Sequence, residues 1–178
     1  MIWNDYYLYI KKIIMKTLSQ CINEALNSSI LNIDIEDSLK SADIKLIHLE
    51  ISKFIDKYYR TPKGYTISNE PNEDGKYVVD ATSNAVVKNK RLASLTNGMF
   101  VWGKVNGWFD CRDCDKLISL DGCPKYVESY FSCANTGITS LDGCPINVNI
   151  FTCNGCKKTF TEKDVTSRCE VRSGEINL

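Results

Sequence analysis

Two Cys-x-x-Cys pairs carry the strongest chemical signal in this sequence. Cys111-Arg-Asp-Cys114 and Cys153-Asn-Gly-Cys156 each have the spacing that forms half of a four-thiolate zinc site. The segment between the pairs is longer than in a zinc ribbon, and in a stacked repeat the pairs would lie two rungs, roughly 10 Å, apart. Zinc needs each of its sulfurs within about 2.3 Å. We therefore predict no metal and no other cofactor, with a zinc-stabilised module as the alternative.

No other group of residues forms a catalytic pattern. His48 is the single histidine, and no Ser, Cys or carboxylate accompanies it in a recognisable motif. The chain contains no phosphate-binding glycine loop and no metalloprotease signature. We predict no catalytic residues and a protein that is not an enzyme.

The composition narrows the classes of partner. The 178 residues include 22 basic and 22 acidic side chains, so the net charge is +0 and no general attraction to nucleic acid or to an anionic membrane is expected. The apolar runs are too short for a transmembrane helix, and the first 15 residues lack the features of a secretory signal. We expect a cytoplasmic protein that binds another protein, and neither nucleic acid nor a membrane.

The cysteines follow a repeat. Ser119-Leu-Asp-Gly-Cys-Pro124 returns as Ser140-Leu-Asp-Gly-Cys-Pro145, and Val105, Phe109 and Cys111 precede Val127, Phe131 and Cys133 by 22 residues each. Periods of this length are typical of stacked supersecondary units. Cys111, Cys133 and Cys153 are then a column of small buried side chains, and the Asp-Gly pairs are turns without chemistry.

Helices and a linker precede the repeat. Apolar residues at helical spacing predict helices over about 5–26 and 42–59, the second with Ser41 as its N-cap and Thr61-Pro62 as its stop. Residues 61–76 read as a linker or long loop. The runs 77–79 and 85–87 read as a hairpin that caps the solenoid. The predicted fold is α+β: a helical segment (1–62), a linker and capping hairpin (63–91) and a β-solenoid of about three rungs (92–178).

Strand alternation selects the candidate binding residues. If Phe109, Phe131 and Phe151 point inward, their neighbours point outward on adjacent rungs. The predicted partner-binding set is Trp108, Asp110, Arg112, Tyr130, Ser132, Ala134, Thr152 and Asn154. Trp and Tyr are frequent interface anchors. The alternative is that Trp108 and Tyr130 pack against a neighbouring loop.

Two resemblances suggest a source. The Phe-x-Cys-x-x-Cys-x-x-Leu-x-x-Leu unit from Phe109 to Leu120 resembles the leucine-rich repeat. The segments Ser119–Pro124 and Trp102-Gly-Lys-Val-Asn-Gly107 resemble those of small leucine-rich-repeat proteins of phages and gut bacteria. The segment Met15–Ala25, with its Ile22-Asn-Glu24 triplet, is similar to the capsid-targeting peptide of internal head proteins in T-even-like phages. The resemblances imply a phage-encoded interaction module that binds a host factor or a virion component, located in the host cytoplasm. A virion-packaged internal head protein is the further alternative.

Overall fold

The computed structural model describes residues 32–61 and 63–178. The chain divides into two compact units, Met1–Asp43 and Ile44–Leu178, and every site considered below lies in the second unit. The predicted helix over 5–26, the segment Met15–Ala25 and Cys21 lie outside the described residues. The fold is α+β, with one long helix followed by a β-solenoid.

Helix α1 (Asn32–Tyr58) begins ten residues before the predicted start. The prediction of Ser41 as an N-cap is wrong, because Ser41 lies inside the helix. Residues 32–41 contain neither Gly nor Pro, so nothing in that stretch stops a helix. The predicted apolar stripe is confirmed at its C-terminal end, where Ile51 and Ile55 are fully buried and the ring of Phe54 lies 5.8 Å from that of Phe100.

The strands alternate between two columns of the solenoid. They are β1 (Tyr59–Arg60), β2 (Tyr65–Ile67), β3 (Tyr77–Ala81), β4 (Ala85–Val87), β5 (Phe100–Val105), β6 (Phe109–Asp110), β7 (Tyr126–Val127), β8 (Tyr130–Ser132), β9 (Asn147–Thr152) and β10 (Glu170–Asn177). One column stacks β3, β5 and β7, the other stacks β4, β6 and β8, and β9 pairs with both. All of these stacking pairs are parallel, as a solenoid requires.

The predicted capping hairpin is wrong. Strand β3 pairs with β2 and β5, and β4 pairs with β1 and β6, so β3 and β4 do not pair with each other. The turn between β3 and β4 is a corner of the solenoid and not a hairpin turn. The two strands together form the first coil of the solenoid. The solenoid therefore begins at Tyr77 and has about four coils instead of three.

Other elements protect the first coil. Strand β1 lies antiparallel to β4 and β2 lies antiparallel to β3. Strand β2 falls within the predicted linker, where Tyr65 and Ile67 pack against the core. Antiparallel strands cover the open edge that a terminal coil would otherwise expose.

The last coil continues past the point where the repeat motif fades. Helix α2 (Glu162–Thr166) starts with a capping box, in which Thr161 and Asp164 bond each other's backbone N–H groups, and Val165 is buried. Strand β10 then pairs in parallel with β9.

The core is a continuous stack of side chains from successive coils. Trp102, Phe109, Phe131 and Phe151 are fully buried, and the rings of Phe109 and Phe131 stack with 6.1 Å between centroids. The repeat predicts the Phe stack because it returns Phe to the same position of the last three coils, whereas the first coil has Ala85 there.

Candidate binding face

The outward positions of the second strand column form one continuous surface, which we call the outer strand face. In-register pairing places Asp110 beside Ser132 and Ser132 beside Thr152. The face consists of Arg60, Val86, Lys88, Trp108, Asp110, Arg112, Tyr130, Ser132, Ala134, Ile150, Thr152 and Asn154. It includes all eight residues that the sequence predicts as partner-binding.

An aromatic pair stands on this face. The rings of Trp108 and Tyr130 stack with their centroids 5.7 Å apart and their planes 17° apart. Trp108 is 38% exposed, whereas Tyr130 is half-buried. The guanidinium of Arg112 lies 6.0 Å from the Tyr130 ring centroid and donates to the Tyr130 hydroxyl at 2.9 Å. The pair is therefore held by its neighbours and still presents an indole surface to solvent.

An ion pair supports the aromatic rings. Arg112 Nε donates to both carboxylate oxygens of Asp110, at 3.0 and 2.8 Å, and Arg112 Nη2 lies 2.7 Å from Asp110 Oδ2. The hydrogen bond to Asp110 raises the pKa of Arg112 above its ordinary value. Burial raises the pKa of Tyr130, and the nearby Asp110 carboxylate acts in the same direction. At neutral pH Tyr130 is therefore a neutral phenol, and Arg112 forms an ion pair with Asp110.

Three of the eight predicted residues are not accessible. Asp110, Ser132 and Ala134 are only 5%, 2% and 5% exposed, so the expectation that they are exposed is wrong for them. Arg112 and Tyr130 lie over the Asp110 carboxylate. Arg112 and Asn154 are exposed and Thr152 is half-buried.

The Cys-x-x-Cys pairs are corners of the solenoid. The third residue of each corner, Asp113, Asn135 or Gly155, has a positive φ of 62°, 54° or 68°. The Asn135 amide donates to Asp113 Oδ1 at 2.9 Å, which links two successive corners. Asn and Asp adopt this left-handed conformation more readily than most other residues.

The last residue of each corner bonds to the backbone. The Thr136 hydroxyl donates to the carbonyl oxygen of Cys133 at 2.7 Å, and the Cys156 thiol donates to the same oxygen at 3.2 Å. In the middle coil, Thr136 thus occupies the position that Cys114 and Cys156 occupy in the two neighbouring coils. The repeat accounts for both Cys-x-x-Cys pairs by this shared position.

Burial raises the pKa of most of the thiols: that of Cys111, Cys123 and Cys133 lies well above the ordinary value, and that of Cys153 is about 12. At Cys156 the hydrogen bond to Cys133 outweighs burial and lowers the pKa to about 6. Within residues 32–61 and 63–178, no three His, Cys, Asp or Glu side chains are placed so that they could hold a metal ion.

A groove of about 470 Å³ lies on another side of the solenoid, along the Asp-Gly turns. Four of its charged side chains form two ion pairs, in which Lys76 Nζ lies 3.8 Å from Asp121 Oδ2 and Arg168 Nε lies 3.2 Å from Asp142 Oδ1. Asp74 and Lys125 also line the groove. The turns were predicted, but the groove was not, because Lys76 and Arg168 lie outside the repeated motif. Its mixed charges do not favour one class of ligand.

His48 has a structural contact. Its Nε2 lies 3.0 Å from the carbonyl oxygen of Ser68, and its ring meets the Tyr77 ring edge-on with 5.5 Å between centroids. These contacts connect α1 to the loop after β2 and to the first coil.

Sequence reasoning missed Arg60 and Lys88 as members of the outer strand face. The alternation of β4, in which Ala85 and Val87 are buried and Val86 is not, was the signal that could have identified them. Because β4 was interpreted as part of a hairpin, this strand was not counted as part of the repeat.

No helix in the described part of the chain has the length and apolar character needed to cross a bilayer. Comparison with known protein families, with curated proteins and with solved structures found no match.

Proposed function

We propose that this chain is a non-enzymatic protein-binding module and that its outer strand face contacts the partner. The observation that carries the proposal is the stacked Trp108–Tyr130 pair, which is partly exposed and held in place by the Asp110–Arg112 ion pair. Aromatic side chains backed by a rigid support are typical of the residues that supply most of an interface's energy.

Preorganisation supports this role. Tyr130 is fixed by its ring stack, by the Arg112 guanidinium and by in-register pairing of β8 with β6 and β9. A partner that docks on the pair does not have to order these side chains, so less of the binding energy is lost to side-chain entropy. Resemblance of the repeat to phage proteins makes a host factor or a virion component the first partner to seek.

The test compares capture of a partner by the wild-type protein and by single variants. We expect a protein captured from host lysate to be lost, or to bind at least about fivefold more weakly, with Trp108→Ala and with Tyr130→Ala, since an anchor contributes more than about 1 kcal/mol. Tyr126→Ala is the matched control, because Tyr126 is an exposed tyrosine of the other strand column.

Melting temperatures separate loss of contact from loss of fold. Trp108→Ala should melt within a few degrees of wild type, because the indole is partly exposed already. Unchanged capture by both variants would refute the proposal. If changes on α1 abolished capture instead, the helix would be the binding element and the solenoid its scaffold.

A further inference from the structure

The first coil brings cations onto the outer strand face beside the aromatic pair. Arg60 lies opposite Val86 in the β1–β4 pair, and Lys88 follows Val86 by two residues, so both project from the same side of the sheet as Val86. Both side chains are exposed, and neither forms an ion pair or a side-chain hydrogen bond with a residue that the structure describes.

The next coil extends the same cluster. Val86 pairs with Asp110, so Lys88 and Arg112 occupy equivalent positions two residues further along. Lys90 Nζ donates to the carbonyl oxygen of Arg112 at 2.6 Å, which brings a further ammonium group to this edge. The resulting cationic cluster consists of Arg60, Lys88, Lys90 and Arg112.

One described carboxylate on the outer strand face offsets part of this charge. It is that of Asp110, which is buried and already engaged by Arg112, so it leaves the charges of Arg60, Lys88 and Lys90 uncompensated on the face. Asp113, the exposed residue after Arg112, lies at the adjoining corner, where its Oδ1 accepts from the Asn135 amide. Glu175 pairs with Ile150 at the opposite end, three strands from β6 or roughly 14 Å away at the usual strand spacing. That distance exceeds the Debye length of about 8 Å at physiological ionic strength, so Glu175 does little to offset the cluster.

We propose that the partner of the outer strand face is an acidic protein segment, whose carboxylates lie against Arg60, Lys88 and Arg112 while an apolar side chain covers Trp108. The proposal rests on the protein-binding function proposed above and adds the chemistry of the partner. Complementary charge at the rim of an interface accelerates encounter and excludes partners of like charge.

The shape of the charged region favours a protein over a nucleic acid. The cations occupy the first two coils, and the face continues through uncharged Ser132, Ala134, Thr152 and Asn154. A bound phosphate backbone commonly uses 6–10 cationic contacts along its path, as an order of magnitude. Four cations in one cluster, of which Arg112 is already paired with Asp110, match a short acidic segment better.

The experiment measures fluorescence anisotropy of three labelled probes: a ten-residue glutamate peptide, a ten-residue lysine peptide and a ten-nucleotide oligothymidylate. At low ionic strength we expect binding of the glutamate peptide only. The double variant Arg60→Glu/Lys88→Glu should weaken it by about tenfold or more. The control Lys104→Glu/Lys125→Glu makes the same change in net charge at exposed lysines of the other strand column and should bind as wild type does.

The outcomes separate this inference from the proposed function. No binding of the glutamate peptide, equal loss in the control variant, or preference for oligothymidylate would overturn the acidic-partner inference. If a protein captured from lysate depends on Trp108 and still binds Arg60→Glu/Lys88→Glu normally, the proposed function stands and this inference fails. Capture that is unchanged in both Trp108→Ala and Tyr130→Ala would defeat both.

Discussion

Cysteine acts in this chain as a packing residue at a repeated position. Cys111, Cys133 and Cys153 occupy equivalent places in three coils, and all three are buried. The Cys111 thiol donates to the carbonyl oxygen of Ser132 at 3.3 Å in the next coil. A thiol fits because it is small, largely apolar and able to donate one weak hydrogen bond.

Substitution of Cys133 tests the packing role. Cys133→Ala should lower the free energy of unfolding by about 1–2 kcal/mol through lost contacts, whereas Cys133→Asp should lower it by several kcal/mol because it buries a carboxylate without a partner. Urea unfolding monitored by circular dichroism measures both values. Asn154→Asp, at an exposed position in the same strand region, is the control and should be nearly neutral.

Similar, small effects of the two Cys133 variants would show that the site tolerates charge and is not buried. Metal analysis addresses the zinc alternative in the same samples. We expect no stoichiometric zinc and no change of the unfolding midpoint with a chelator. Zinc lost together with stability would contradict the packing account.

At the scale of the elements, the Asp-Gly turns determine how closely successive coils stack. The Asp-Gly pairs end successive coils with Gly122 and Gly143 at φ values of 82° and 83°. Gly143 also lies against the previous coil: a Cβ there would come within 2.9 Å of the carbonyl oxygen of Leu120. The repeated glycine thus permits both the left-handed backbone and the close approach of two coils.

A pair of glycine variants separates these two effects. Gly174→Ala introduces a side chain at a φ of 73° in open space, whereas Gly143→Ala adds the clash with Leu120. We expect Gly174→Ala to cost about 1 kcal/mol and Gly143→Ala to cost about 1–3 kcal/mol more, from urea unfolding. Equal costs would show that coil stacking adjusts freely at this turn.

For the whole molecule, the thiol-rich core predicts loss of stability at alkaline pH. Burial holds the pKa of Cys144 at about 11 and of Cys153 at about 12, and raises those of Cys111, Cys123 and Cys133. Thiols in the unfolded chain titrate near about 8.5. Above that pH the unfolded state releases protons that the folded state keeps, so the free energy of unfolding falls as pH rises. Cys156 acts in the opposite direction: its hydrogen bond to Cys133 lowers its pKa to about 6, so it adds stability as the pH rises from about 6 to about 8.5.

Urea unfolding under reducing conditions from pH 7.5 to 10.5 measures this dependence. Cys153→Ala should flatten the profile relative to wild type, since it removes one group whose proton uptake differs between the two states. A profile that stays level to pH 10.5 would contradict burial of the thiols.

The sequence by itself determined the repeat, the inward Phe and Cys positions and the helix over Ile51 and Ile55, because these depend on local periodicity. It predicted the Asp-Gly turns for the same reason. Trp108 and Tyr130 were placed on the correct face, since alternation along a strand fixes which side a residue takes. Such features need only the spacing of residues along the chain.

Only the tertiary structure decided which strands pair. Strands β3 and β4 have the pattern of a hairpin, but each stacks on a strand of the next coil, Tyr77 beside Phe100 and Ala85 beside Phe109, so no local signal reveals the first coil. The tertiary structure also decided which outward residues are accessible to solvent. Asp110 faces outward but is covered by Arg112, two residues further along the chain, and by Tyr130 of the next coil. The cationic cluster of Arg60 and Lys88 beside Trp108 likewise exists only because stacking brings separate coils together.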